Sequence, residues 1–145
     1  MNFIDALHIS ASGLTSQRLR MNVISSNLAN SNTTRTQEGG PYKRKDVVFA
    51  SQPIRKSFQN IMESQINGRL SEVKVVEIIE DTRPPLMKYD PQHPDANEKG
   101  YIALPNIKLI EEMVNMMSAT RSYEANVTAV NATKKMAQKA LEIGR

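Results

Sequence analysis

The stretch that decides the fold is residues 106–143, NIKLIEEMVNMMSATRSYEANVTAVNATKKMAQKALEI, which holds neither Pro nor Gly. Leu109, Met113, Met116, Thr120, Tyr123, Val127, Val130, Lys134, Ala137 and Leu141 alternate in steps of four and three without a slip, the spacing of a coiled-coil seam. A continuous helix of about 37 residues is about 55 Å long, longer than a small globule can cover. Glu111 and Glu112 sit near its start and Lys134, Lys135, Lys139 and Arg145 near its end, which suits the helix macrodipole. Gly144 is a natural terminator. Ile110, Val114 and Met117 make the first half apolar on more than one face. The neighbouring Met113, Met116 and Met117 can adapt to slightly different packing environments. The run 125–133, ANVTAVNAT, is small and uncharged, so another helix can approach it closely.

The opposite end of the chain has the same freedom from helix breakers. All seven Pro residues lie between Pro41 and Pro105, and of the six Gly only Gly13 and Gly144 fall outside that interval. Residues 3–30 therefore read as one amphipathic helix. Leu7, Leu14, Met21 and Leu28 recur at heptad spacing, with Ile4 and Ala11 at the second seam position. Arg18 and Ser25 then weaken that second row, while Val23 and Ile24 widen the apolar face and suggest a second helical neighbour. Between residues 1 and 34 only Asp5, Arg18 and Arg20 are charged. Ser and Asn crowd the polar face instead, and they are poor formers of isolated helix. This helix is expected to form on packing, and its small polar face favours an assembly role over solvation.

The middle reads as a small β-rich unit. Gly39-Gly40-Pro41 is a turn, and 46–50 (DVVFA) and 73–80 (VKVVEIIE) are strand-like. After Pro84-Pro85, residues 86–89 and 100–104 give two more short extended runs around the turn segment 90–97. Residues 54–68 have loose helical spacing and could equally be an irregular insertion. Lys43-Arg44-Lys45 lacks aromatic interleaving, so a solvated strand edge is favoured over a phosphate or nucleic-acid patch. The expected division is an N-terminal axial helix at 1–34, a β-rich domain at 35–105 with a variable loop at about 51–70, and a C-terminal axial helix at 106–145. The fold class is mainly α, with long terminal helices in an antiparallel coiled coil and a small β domain between them.

Composition excludes several function classes. The 145 residues include no Cys, which removes disulfides and thiolate metal sites. The net charge of +4 is too mild for a dedicated nucleic-acid binder. No apolar run approaches the roughly 18 residues of a membrane span, and MNFIDALHIS lacks the pattern of a cleaved secretory signal. Asp90, His93 and Asp95 lie within one turn-rich segment, but with no second His or Glu nearby they make a poor metal site. His8 sits at a helix margin. No residue falls in a catalytic motif. The expectation is no enzyme, no cofactor, no metal and no small-molecule substrate.

Gly13-Leu14 and the run Asn27-Leu28-Ala29-Asn30-Ser31-Asn32-Thr33 resemble the N-terminal signature of bacterial flagellar axial proteins, the rod, hook and related subunits. Residues 113–117 (MVNMM), 121–126 (RSYEAN) and 140–144 (ALEIG) resemble their C-terminal signature. Residues 39–45 (GGPYKRK) and 90–96 (DPQHPDA) through Gly100-Tyr101 narrow the likeness to a proximal rod subunit, over all but about residues 51–70. The resemblance implies a structural subunit of the basal-body rod, carrying torque from motor to hook across the periplasmic space. It implies export through the flagellar type III apparatus without a cleaved signal, and terminal helices that order on assembly. Implied partners are copies of the chain, other proximal and distal rod proteins, and MS-ring or export-gate adaptors. The expected assembly residues are Ile4, Leu7, Ala11, Leu14, Met21, Leu28, Leu109, Met113, Met116, Tyr123, Val127, Val130 and Leu141. Alternatives are another axial subunit or a coiled-coil, chaperone-like binding module.

Overall fold

The structure, a computed structural model, describes residues 3–53 and 71–143. Helix α1 spans Phe3–Ala29 and helix α2 spans Leu109–Ile143. Between them lie β1 (Lys45–Pro53), β2 (Ser71–Glu80), β3 (Leu86–Tyr89) and β4 (Tyr101–Leu104). The expected fold class holds: two long terminal helices flank a small antiparallel β insert. The residues of the ambiguous 54–68 segment lie outside the described residues. Residues 51–53, expected in the variable loop, belong to β1, because their ladder with β2 runs on to Pro53↔Ser71.

The helix ends follow local chemistry. The Asn30 backbone N–H and its side-chain amide both donate to the Ser26 carbonyl, at 3.0 and 2.9 Å, and close the last turn of α1. Such side-chain capping satisfies carbonyls that a helix end leaves open. Pro105 marks the approach to α2, and the Ile107 N–H turns back onto the Pro105 carbonyl at 2.9 Å.

The helices pair antiparallel. Gly13 lies against Asn126, Met21 against Thr120, and Asn27 against Glu112. Stepping forward along α1 thus steps backward along α2 at a matching rate. The seam positions Met116, Thr120, Tyr123, Val127, Val130 and Ala137 of α2 are partly buried. Beside one of the two rows Glu112 and Ala119 are buried and Asn126 and Thr133 partly buried, whereas the seam positions Met113 and Lys134 are exposed. Small and polar side chains therefore share the contact with α1, and Met113 is turned outward.

β1 and β2 form one antiparallel ribbon, with an irregularity where Val48↔Glu77 gives way to Phe49↔Val75 and Val76 is bulged. β3 and β4 form a second, smaller ribbon. Gly100 closes it with φ +77°, and a Cβ there would stand 2.9 Å from the Tyr89 ring. Tyr89 and Tyr101 meet edge to face at 5.2 Å between ring centroids.

α1 is the central layer, packed on α2 and on both strands of the β1–β2 ribbon. Within the described chain the second neighbour of α1 is thus its own sheet, where Val23 and Ile24 suggested a helix. α2 touches no described element other than α1. The buried apolar residues among those described are Ile24, Val47, Ile102, Ile107 and Ala119, a thin core for the chain's length. A compact monomer of 16.3 kDa exposes about 7,500 Å², whereas this chain exposes 10843 Å².

Candidate assembly interface

Two polar arrangements fix how α1 is covered. The first uses the hydroxyls of its N-terminal half. Ser12 Oγ donates to the Ile9 carbonyl at 2.8 Å and accepts the Val73 N–H at 3.2 Å. Ser16, 3% exposed, donates to the Val73 carbonyl at 3.3 Å. One turn of helix therefore satisfies both outward-facing backbone groups of one residue of β2.

The second lies at the C-terminal end of α1. Asn27 is fully buried, and all four hydrogen-bonding positions of its amide are used. Nδ2 donates to the Lys45 carbonyl at 2.8 Å and to Glu112 Oε2 at 3.0 Å. Oδ1 accepts the Lys45 N–H at 2.9 Å and the Tyr42 hydroxyl at 3.1 Å. Asn27 thus pairs with Lys45 as a neighbouring strand would. Glu112 is 1% exposed, and its Oε1 accepts Arg44 Nε at 2.8 Å. Arg44 Nη1 also reaches Asp46 Oδ2 at 3.1 Å. Burial works to lower the Arg44 pKa, but the hydrogen bonds that Arg44 donates to Glu112 and Asp46, with the charges of those carboxylates, outweigh it and raise the pKa above the ordinary arginine value. A buried carboxylate is tolerated here because both oxygens have donors, one of them cationic.

Sequence reasoning missed this cluster. Lys43-Arg44-Lys45 was expected to be a solvated edge. Lys43 fits that, pairing with Glu80 at 3.5 Å on the surface. Arg44 turns inward instead. Glu112 was expected to act through the helix dipole and is buried. A usable signal was the carboxylate itself, which lies one residue before the Met113 seam position.

The expected assembly residues fall in two groups. Leu7, Leu14, Met21, Leu28, Met116, Tyr123, Val127 and Val130 are partly buried, while Ile4, Ala11, Leu109, Met113 and Leu141 are exposed. The broadest open apolar surface is on α2. Ile110 is 74% exposed, Val114 58%, Met117 57% and Met113 49%, and their i, i+3, i+4, i+7 spacing puts them on one stripe. Met136, Leu141 and Ile143 extend the exposed apolar surface to the helix's end.

The loop before β4 offers no comparable site. His93 Nδ1 accepts the Asp95 N–H at 3.1 Å, and Asp95 Oδ2 accepts the Thr34 hydroxyl at 2.7 Å. These groups hold the loop against the segment that follows α1. Among the described residues no cluster of His, Asp or Glu has the arrangement of a metal site.

Comparison with known proteins gives this geometry its context. Residues 7–37 match the family described as flagella basal body rod protein, and residues 98–143 match flagellar basal body rod FlgEFG protein C-terminal. The flagellar basal-body rod protein FlgC of Bacillus subtilis is 50% identical, with all of both chains covered. The FlgC of Borreliella burgdorferi is 44% identical over 99% of this chain and 98% of its own. The FlgC of Escherichia coli O157:H7 is 38% identical over the full length of both. The chain belongs to the FlgC family. FlgC relatives thus share the β insert's span as well as the helices, so the likeness is not confined to the terminal signatures.

Proposed function

We propose that this chain is a structural, non-enzymatic subunit of the flagellar basal-body rod that joins its neighbours chiefly through the outer face of α2. The observation that carries the reading is the open stripe of Ile110, Met113, Val114 and Met117, on a helix whose one neighbouring element among those described is α1. So large an apolar surface on a soluble chain marks a contact with other proteins. Copies of the chain and other rod components are the partners. Finer proposals are contacts with proximal and distal rod proteins and with MS-ring or export-gate adaptors, after delivery by the flagellar type III apparatus. A polymer of paired helices, braced by the β unit, would carry torque from motor to hook. The alignment with FlgC relatives over the full chain supports this reading over the chaperone-like alternative.

Val114→Asp tests it. Val114 is 58% exposed, so the isolated chain should keep its helicity while losing incorporation into the rod. Wild-type motility and normal rod content with that change would remove α2's outer face from the interface.

A further inference from the structure

We infer that Asn27, Arg44 and Glu112 act as a register lock, positioning the two terminal helices relative to one another. Two contacts of the seam discriminate poorly between registers. Suppose α2 moves by one heptad, about 10 Å, so that Ala119 faces Asn27. Met21 then meets Val127 in place of Thr120, a side chain of nearly the same shape. Gly13 meets Thr133, which is similar in size to Asn126. The heptad spacing is kept, and the packing objection is confined to Asn126 entering the place of the fully buried Ala119.

The cluster does object. In the slipped register Glu112 loses the Asn27 amide that now lies at 3.0 Å. Arg44 and one Asn27 donor are left facing Ala119. Buried groups without partners are costly, more so when charged. A single buried polar contact can select one alignment among apolar seams that would otherwise tolerate several. Arg44 and Lys45 belong to the β insert, so the lock also places that insert relative to both helices at once. The register sets how far α2 runs beyond α1 and where its apolar stripe lies beside the β unit.

The chain has no Cys, so an introduced pair reports register without ambiguity. A Cβ on Gly13 would lie 3.2 Å from Asn126 Cγ, which puts the two Cβ atoms within the separation a disulfide spans. Gly13→Cys/Asn126→Cys should form an intramolecular disulfide in the full chain and in isolated basal bodies, whereas Gly13→Cys/Thr133→Cys should not. Adding Arg44→Leu/Glu112→Leu removes both charges of the buried pair and leaves only the exposed Asp46 without its partner. The first disulfide should then lose yield and the second should appear, with far-UV helicity retained. A second variant, Glu112→Ala/Ala119→Glu, moves the carboxylate one heptad along α2. The Gly13→Cys/Thr133→Cys disulfide should become the dominant product. If both variants keep the original disulfide alone, the lock is refuted. Loss of helicity in both also overturns it, because the cluster would then stabilise rather than select. The inference is independent of the rod interface: a chain in the correct register that fails to assemble counts against the proposed α2 contact, not against the lock.

Discussion

Asn27 and Glu112 are 85 residues apart in the chain and 3.0 Å apart in space, where the last turn of α1 meets the first turn of α2. Every other hydrogen bond of the Asn27 amide goes to the segment entering β1. One side chain therefore joins three elements. Asn27→Ala would leave the Lys45 N–H and carbonyl and one Glu112 oxygen without partners. A loss of about 2–5 kcal/mol in unfolding free energy is expected, since each orphaned group costs about 1–3 kcal/mol. Asn27→Asp should be worse than Asn27→Ala, because it removes the donors and sets a second carboxylate beside Glu112. Urea denaturation followed by circular dichroism gives the order, and an Asp variant as stable as wild type would disprove it.

The serine bridge to β2 makes a residue-level prediction. Val73 donates its N–H to Ser12, while its carbonyl accepts from Ser16. Ser12→Ala should speed amide exchange at Val73, and Ser16→Ala should leave that amide as protected as before. Each change should cost about 1 kcal/mol. Equal exchange at Val73 in both variants would contradict the geometry.

Gly13 is placed by its neighbour on α2. A Cβ there would lie 2.8 Å from Asn126 Nδ2, the free end of a side chain that can turn away. Replacing an interior helical Gly by Ala gains about 1 kcal/mol when space allows. Gly13→Ala alone should be within about 0.5 kcal/mol of wild type, with the gain offset by displacement of Asn126. In an Asn126→Ala background the same change should stabilise by about 1 kcal/mol. A double-mutant cycle with no coupling would exclude the contact.

Asp81 carries an acid dependence. The Arg83 side chain, bonded to both carboxylate oxygens, and then the Arg83 backbone N–H hold its pKa at about 2, below the ordinary 3.8. The folded value lies below the unfolded one, so the contribution is full above pH 3.8 and is lost as pH falls towards about 2. Asp81→Asn should flatten the stability curve within that window and leave its shape at neutral pH unchanged. Carbon-detected NMR titration of the Asp81 carboxyl checks the value directly.

Much of the fold was legible because it follows from local signals. The absence of Pro from both ends, with Gly13 the one interior Gly, and the seam spacing bounded both helices to within three residues at each described end. The β-branched run at 73–80 lies wholly within β2, and residues 86–89 match β3. The phase of the seam was less legible. Heptad reading ranks positions by size and apolarity, so it selected Met113 over Glu112 and Val127 over Asn126. Glu112 is buried where Met113 is exposed, and Asn126 shares the contact with a partly buried Val127. The Ser and Asn residues of α1 were correctly noted as unlike a solvated face. Three of them, Ser12, Ser16 and Asn27, are occupied by strands of the chain itself, and no periodicity in α1 could reveal partners that lie 18 to 61 residues away. Arg44 was missed for the same reason: its partner is 68 residues on.

The serines of α1 also bear on a hazard common to all self-assembling chains. A two-stranded ribbon ends in two unpaired edges, and an open edge invites another strand to add to it. In β2 the outward N–H and carbonyl of Val73 are already taken by hydroxyls of the chain's own helix. An incoming strand would find those two groups already occupied, so strand addition is discouraged at that point of the edge.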